Sequence, residues 1–200
     1  MFCCVFAWSF CAFGNETIKS SIELKVLPKL PPQARTSGTT GSNMSGVRDN
    51  WLDMDIRFRT NNIKDVKKRF LDNPELHITV VAVEGKRSIL FNGIINYMYI
   101  EQDGKNHYMK ALLPAPFLRR HFVDLSIDRI RFLVKGDIKQ NGKILATVYG
   151  SNKPANKKDL QALFQKIPNN IPMVPDSVCG RDGTTWSIID VNKYEYEKNK

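Results

Sequence analysis

The chain is short of cysteine, histidine and acid. Of its 200 residues four are cysteine, and Cys3, Cys4 and Cys11 all fall in the first fourteen positions, which leaves Cys179 alone in the remainder. A single thiol closes no internal disulfide, so the fold must be held by burial. Three histidines, His77, His107 and His121, stand on separate segments. There is no H-E-x-x-H pair, no metal-type C-x-x-C, no G-x-S-x-G elbow and no glycine-rich turn between a strand and a helix. Metal-assisted hydrolysis, acyl transfer and dinucleotide chemistry therefore lack their usual sequence support, and no cofactor is implied. The acids are outnumbered as well. Twenty Asp and Glu face 30 Lys and Arg, a formal charge of +10, so the surface attracts anionic partners at modest salt. No apolar run reaches the ~20 residues that a membrane-spanning helix needs.

What is present begins with Met1–Gly14, uncharged and almost wholly apolar, ending in Ala12-Phe13-Gly14 with small residues at the two positions a signal peptidase reads. A cleaved export signal is the preferred reading and a retained N-terminal anchor the alternative; either places the remainder outside the cytoplasm. Ser21 to Leu27 alternates Ile22, Leu24 and Val26 with polar residues, as a strand would. Pro28 to Asn50 is rich in Pro, Ser, Thr and Gly and reads as a linker. Within it Thr36–Gly41 copies a phosphate-loop core but lacks the lysine such loops carry downstream. The organisation is thus a signal-like segment 1–14, a strand and linker 15–50, and a main domain 51–200.

From Trp51 the texture changes. Leu52, Met54, Ile56 and Phe58 alternate with Asp53, Asp55, Arg57 and Arg59, which predicts a half-buried strand whose polar side is a solvated charge ladder. Ile63, Val66, Phe70 and Leu71 have helical spacing behind a possible Asn62 cap, which fits a short helix or packed loop. Leu76 to Val83 is a β-branched strand. Ser88 to Ile100 is extended, with Gly93 marking a bulge or a shift between sheets. Asp103-Gly104 and Asn141-Gly142 predict two hairpins, the second joining Ile127–Lys135 to Lys143–Tyr149 with Ile130, Phe132, Val134, Ile144, Ala146 and Val148 on the buried side. Phe117 to Val123 fits one helical turn. Asn156 caps a helix over Lys157–Lys166 with Leu160, Leu163, Phe164 and Ile167 on one face, and the aromatic tail around Trp186, Tyr194 and Tyr196 pins back onto the domain. Seven or eight short strands with one or two short helices predict an all-β, immunoglobulin-like antiparallel β-sandwich, with an α+β arrangement as the alternative.

The strongest physical signal is basic. Arg57, Arg59, Lys64, Lys67, Lys68 and Arg69 crowd one stretch and Arg119, Arg120, Arg129 and Arg131 another, which makes these ten the candidate residues for binding an anionic surface. Nucleic acid would want exposed stacking aromatics among them. Tyr97, Tyr99 and Tyr108 are available, but they also fit cross-strand packing, and an export signal argues against that partner. Anionic polymer, lipid head groups or other envelope proteins are the expected partners.

Trp51–Phe58, then Leu90–Ile100, then His107-Tyr108 with a strand ending Leu113-Pro114, and a terminal Thr-Thr-Trp followed by a Tyr-Glu pair, resemble the pilus-like proteins of the type IV pilus gene cluster in Akkermansia-type bacteria. The resemblance spans about Asn50 to Glu197. It implies an immunoglobulin-like sandwich, an extracytoplasmic location, a role in pilus or envelope assembly through contacts with other assembly proteins, and no catalytic residues. The chain departs from that pattern at Thr184-Thr185-Trp186, where the family reads Thr-Pro-Phe, and in its short, uncharged start.

Overall fold

Period-two alternation sets the architecture. A computed structural model of the chain describes the backbone of residues 20–27 and, beyond them, residues 51–122, 129–153, 155–168, 170–182 and 184; the signal-like segment, the linker and the aromatic tail lie outside the described residues. The strands are β1 Ser20–Leu27, β2 Trp51–Arg59, β3 Phe70–Asp72, β4 Glu75–Glu84, β5 Arg87–Asn96, β6 Tyr99–Glu101, β7 Asn106–Leu113, β8 Arg131–Gln140, β9 Lys143–Ser151 and β10 Met173–Val174. Two helices, α1 Ala115–His121 and α2 Lys157–Gln165, join them. A three-stranded sheet ordered β1-β2-β7 packs on a five-stranded sheet ordered β10-β5-β4-β8-β9, and β3 and β6 form a separate two-stranded ribbon. The molecule is the expected all-β sandwich with short helices. All strand pairs are antiparallel except β10 with β5.

The core fills the gap between the sheets. Leu52, Met54, Ile56 and Phe58 of β2 meet Leu76, Ile78, Val80, Phe91, Phe132, Val134 and Val148 from the larger sheet, all buried. α1 plugs one end, its Leu118 and the following Phe122 joining that core. α2 lies on the outer face of the larger sheet, where Leu160, Leu163, Phe164 and Ile167 cover Val81, Leu90, Leu133 and Tyr149. Asn156 Oδ1 accepts from Asp159 N (2.9 Å) and caps α2 as its sequence predicts.

Three local expectations are corrected. Gly93 lies in unbroken β5 opposite Ile78, with no bulge. Its missing side chain makes room for residues 177–179, a strap whose Ser177 and Val178 amides donate to Asn92 O (2.9 and 3.0 Å) and whose Cys179 exchanges two backbone hydrogen bonds with Leu112 of β7 (2.8 and 2.9 Å). The strap thus closes the seam between the two sheets on that side. The register irregularity falls instead at Ile138/Lys139, where Leu145 is the extra residue. It turns Ile144 outward opposite Lys139, so Ile144 is exposed rather than buried. Asn141 (φ 50°) and Gly142 (φ 75°) make the β8–β9 hairpin turn as expected. Asp103-Gly104 turns the chain without forming a hairpin, because β6 pairs with β3 and β7 with β2.

Candidate interaction surface

Registers place the two basic stretches at opposite ends of the sandwich. Arg57, Arg59, Lys64, Lys67, Lys68 and Arg69 gather where β2 ends, β7 begins and the ribbon projects. Arg119 and Arg120 stand on α1 at the other end, with Arg129 and with Arg131, which pairs with Val83 near the close of β4. A ten-residue strand such as β4 separates the two groups by about 30 Å. They form two surfaces, not one. Sequence reading missed two members of the α1 end, Lys86 and Arg87; the Arg87 guanidinium lies 5.7 Å from the centre of the Phe122 ring.

The ribbon end carries what a contact surface needs. The segment after β2 makes only one 3-10 turn, Val66–Lys68, capped by Asp65 rather than Asn62, with Lys67 N donating to Asp65 Oδ1 (3.1 Å). Helical spacing there does not mark a core face. Val66 is 74% exposed and Phe70 43%, and on the partner strand side Met98 is 52% and Tyr99 42% exposed. Phe70 and Tyr99 meet edge to face at 5.6 Å between ring centres. Leu71 and Ile100 point the other way, into the body. Of the three tyrosines singled out by sequence, only Tyr99 is exposed: Tyr97 is fully buried with its hydroxyl on the β7 backbone, and Tyr108 lies beneath the Arg57 guanidinium at 6.0 Å.

Two acids around this end are engaged by cations, while Asp72 on β3 is exposed. Glu101 pairs with Arg69, and Asp103 Oδ2 takes Lys105 Nζ at 3.0 Å. Arg59 Nε donates to Gly104 O (2.7 Å). Lys64 and Lys67 stand exposed beside the apolar residues.

Behind the ribbon, Asp103 organises a corner. Its Oδ1 accepts from Lys105 N (2.8 Å) and from His107 Nε2 (3.0 Å). Burial alone would push this carboxyl up; the hydrogen bonds from Lys105 and the neighbouring His107 outweigh it and hold the pKa down to about 2. Thr60 Oγ1 donates to Glu101 O (3.1 Å) and lies 3.2 Å from the same His107 nitrogen. With the hydroxyl proton committed to a carbonyl, Nε2 must carry the ring hydrogen, so Thr60 has no base beside it and this Thr-His-Asp trio is not a nucleophilic relay. Because the folded value lies below the unfolded 3.8, the stability this carboxylate contributes is whole above pH 4 and fades as the pH falls from there toward 2. Asp103→Asn should therefore cost about 1–2 kcal/mol at neutral pH. Urea unfolding at stepped pH should show the gap from wild type closing below pH 4; a gap independent of pH contradicts this account.

The other histidines are placed apart, His77 between Glu75 Oε2 (2.7 Å) and Lys139 Nζ (3.4 Å) on β4, and His121 edge-on to Phe91.

Asp53 and Asp55 do share a face of β2, but it is not solvated. They are 3% and 6% exposed, and Lys110 of β7, 8% exposed, inserts its Nζ between Asp53 Oδ2 (2.7 Å) and Asp55 Oδ1 (2.9 Å). Burial alone would lower the lysine's pKa; the attraction and hydrogen bonds of the two aspartates reverse this and keep it charged well above the ordinary lysine range. Among the described residues, no helix is long and apolar enough to cross a membrane.

No family model matches the chain, and no curated protein matches it. Among solved structures, the crystal structure of a protein from Akkermansia muciniphila is similar over 92% of this chain and 95% of that one, with a TM-score of 0.57 and 15% sequence identity. A likeness at that identity is one of fold.

Proposed function

We propose that this chain is a non-enzymatic domain of the cell envelope that contributes an interaction surface to a pilus-related or secretion-related assembly. The observation that carries the reading is the ribbon end, where Val66, Phe70, Met98 and Tyr99 stand in solvent among lysines. Isolated exposed apolar residues need no explanation, but four on one ribbon and the turn leading into it do. Strand edges are poorer candidates for recruiting a partner: β5 is lined by β10 and the strap, β7 by Cys179, and β1 runs beside β9. The fold likeness to the Akkermansia muciniphila protein and the signal-like start support an extracytoplasmic, pilus-like setting. The basic residues of the same end also suit an anionic polymer.

Photo-crosslinking in cells tests the reading. With the reactive group at Tyr99 the protein should fractionate with the envelope and crosslink there, whereas the group at Lys158 on α2 should give far fewer adducts. Recovery wholly from the cytosol, with equal labelling from both positions, would refute it.

A further inference from the structure

We infer that the ribbon end rests on an anionic lipid surface. This deepens the reading of that end as an interaction surface by committing it to one occupant. Val66, Phe70, Met98 and Tyr99 are the apolar and aromatic side chains, and Lys64 and Lys67 the cations. Together they match the chemistry of a bilayer interface, where aromatic rings and thioethers enter the headgroup boundary and ammonium groups pair with phosphates. Three placements in the fold support this occupant over a second protein.

The first is where the chain enters. β1 starts at Ser20 opposite Phe58, so residue 20 lies at the ribbon end and not at the α1 end. The uncharged apolar run Met1–Gly14 is only five residues upstream in sequence. Where that run is retained as an N-terminal anchor, the alternative to cleavage, it holds this end of the sandwich nearest the bilayer.

The second is charge. From Arg57 to Asp72 six Lys and Arg face two Asp, and one of those, Asp65, is turned to its own backbone cap. Glu101 is held by Arg69 and Asp103 by Lys105, which leaves exposed Asp72 as the acid of this stretch set against six cations.

The third is a further contact at the same level. The β8–β9 hairpin reaches the ribbon, Gln140 Nε2 donating to Asp72 O (3.2 Å), and it presents exposed Ile144 beside Lys143. The apolar tips and cations thus come from two separate supports, as a flat surface demands and a single peptide groove does not.

Amide hydrogen exchange of the full chain provides a local readout that binding through the N-terminal run alone would not move. Vesicles of phosphatidylcholine containing about a quarter phosphatidylglycerol should slow exchange across residues 64–72 and 97–101 several-fold, and pure phosphatidylcholine should do so much less. Lys64→Glu with Lys67→Glu should abolish that protection and reduce vesicle partitioning through this end at least about tenfold, as should Phe70→Ser with Met98→Ser. The charge-matched control, Lys158→Glu with Lys166→Glu on α2, should leave both unchanged. All these positions are exposed, and an unaltered thermal midpoint confirms each variant folds. Vesicle binding without protection of the ribbon overturns the proposal. Protection by poly-glutamate but not by anionic vesicles also overturns it, in favour of an acidic peptide partner, while leaving the broader reading of this end intact; protection by neither removes both.

Discussion

Lys110→Met should lower the unfolding free energy by about 3–5 kcal/mol at neutral pH, among the largest effects a single side chain can produce in this fold. The loss comes from buried charge. Asp53 and Asp55 are carried by alternate positions of β2, and their strand is fixed by Leu52, Met54, Ile56 and Phe58 on the opposite face, so neither carboxylate can swing to water without disturbing the core. Lys110 is directly opposite Asp55 in the β2–β7 register and reaches Asp53 diagonally. Removing the ammonium leaves two like charges at buried positions on one strand. Acid should relieve the penalty by neutralising the carboxylates, so the difference between Lys110→Met and wild type should shrink as the pH is lowered. In the wild type the linkage has the opposite sense. A lysine whose folded pKa is raised contributes stability that is complete below the unfolded value of 10.5 and is lost only as the pH climbs through the folded one. A triple replacement, Asp53→Leu and Asp55→Val with Lys110→Met, should recover most of the loss, because an apolar trio carries no desolvation cost. Urea denaturation of the three proteins decides; a loss under about 1 kcal/mol for Lys110→Met would show that water reaches the site.

Gly93→Ala should cost about 3 kcal/mol, at the upper end of what one added methyl does in a packed interior. The new Cβ would fall on the Val178 carbonyl, with the carbonyl carbon at 2.8 Å and Val178 Cβ at 3.0 Å. Backbone cannot yield as a side-chain tip does, and this stretch is held from both sides by Asn92 and Leu112. The strap must therefore lift. Its release should appear as faster amide exchange at Leu112 and Cys179 along with the drop in stability. Unchanged exchange at those two amides would mean that β5, not the strap, gives way. Gly136, also on the core side, offers a contrast: there a Cβ meets only the Val148 and Ile78 methyl groups at 3.1 and 3.2 Å, which can shift, so Gly136→Ala should be milder.

Where local chemistry decides the structure, the sequence could be read. β2, β4 and the β8–β9 hairpin follow from alternation and from Asn141-Gly142, and α2 from Asn156 and its apolar stripe, because each depends on residues a few positions apart. β1 is legible as alternation ahead of the linker, and it pairs with β2. What failed depends on segments distant in sequence. Val66 and Phe70 have core-like spacing, yet among the described residues no layer covers them, and they face solvent. Asp53 and Asp55 match a solvated ladder until Lys110 is known to lie across from them; the available signal was a lysine inside the otherwise apolar stretch Met109–Leu113. Gly93 stands out in the sequence as a bulge or a shift between sheets, and only the position of Val178 shows that its role is close approach. The ten candidate basic residues form two stretches in the sequence, and strand length and register, not spacing, place these at opposite ends.

The register of β1 has a mechanical consequence. The described chain enters the sheet at Ser20, at the ribbon end, whereas the strap leaves beside Leu112, near the α1 end. Tension between those two points runs along the strands rather than across them. The eight residue pairs from Ser20–Phe58 to Leu27–Trp51 would then be loaded in parallel, as shear, instead of being peeled apart one after another. A sandwich threaded in this way can bear traction along its long axis.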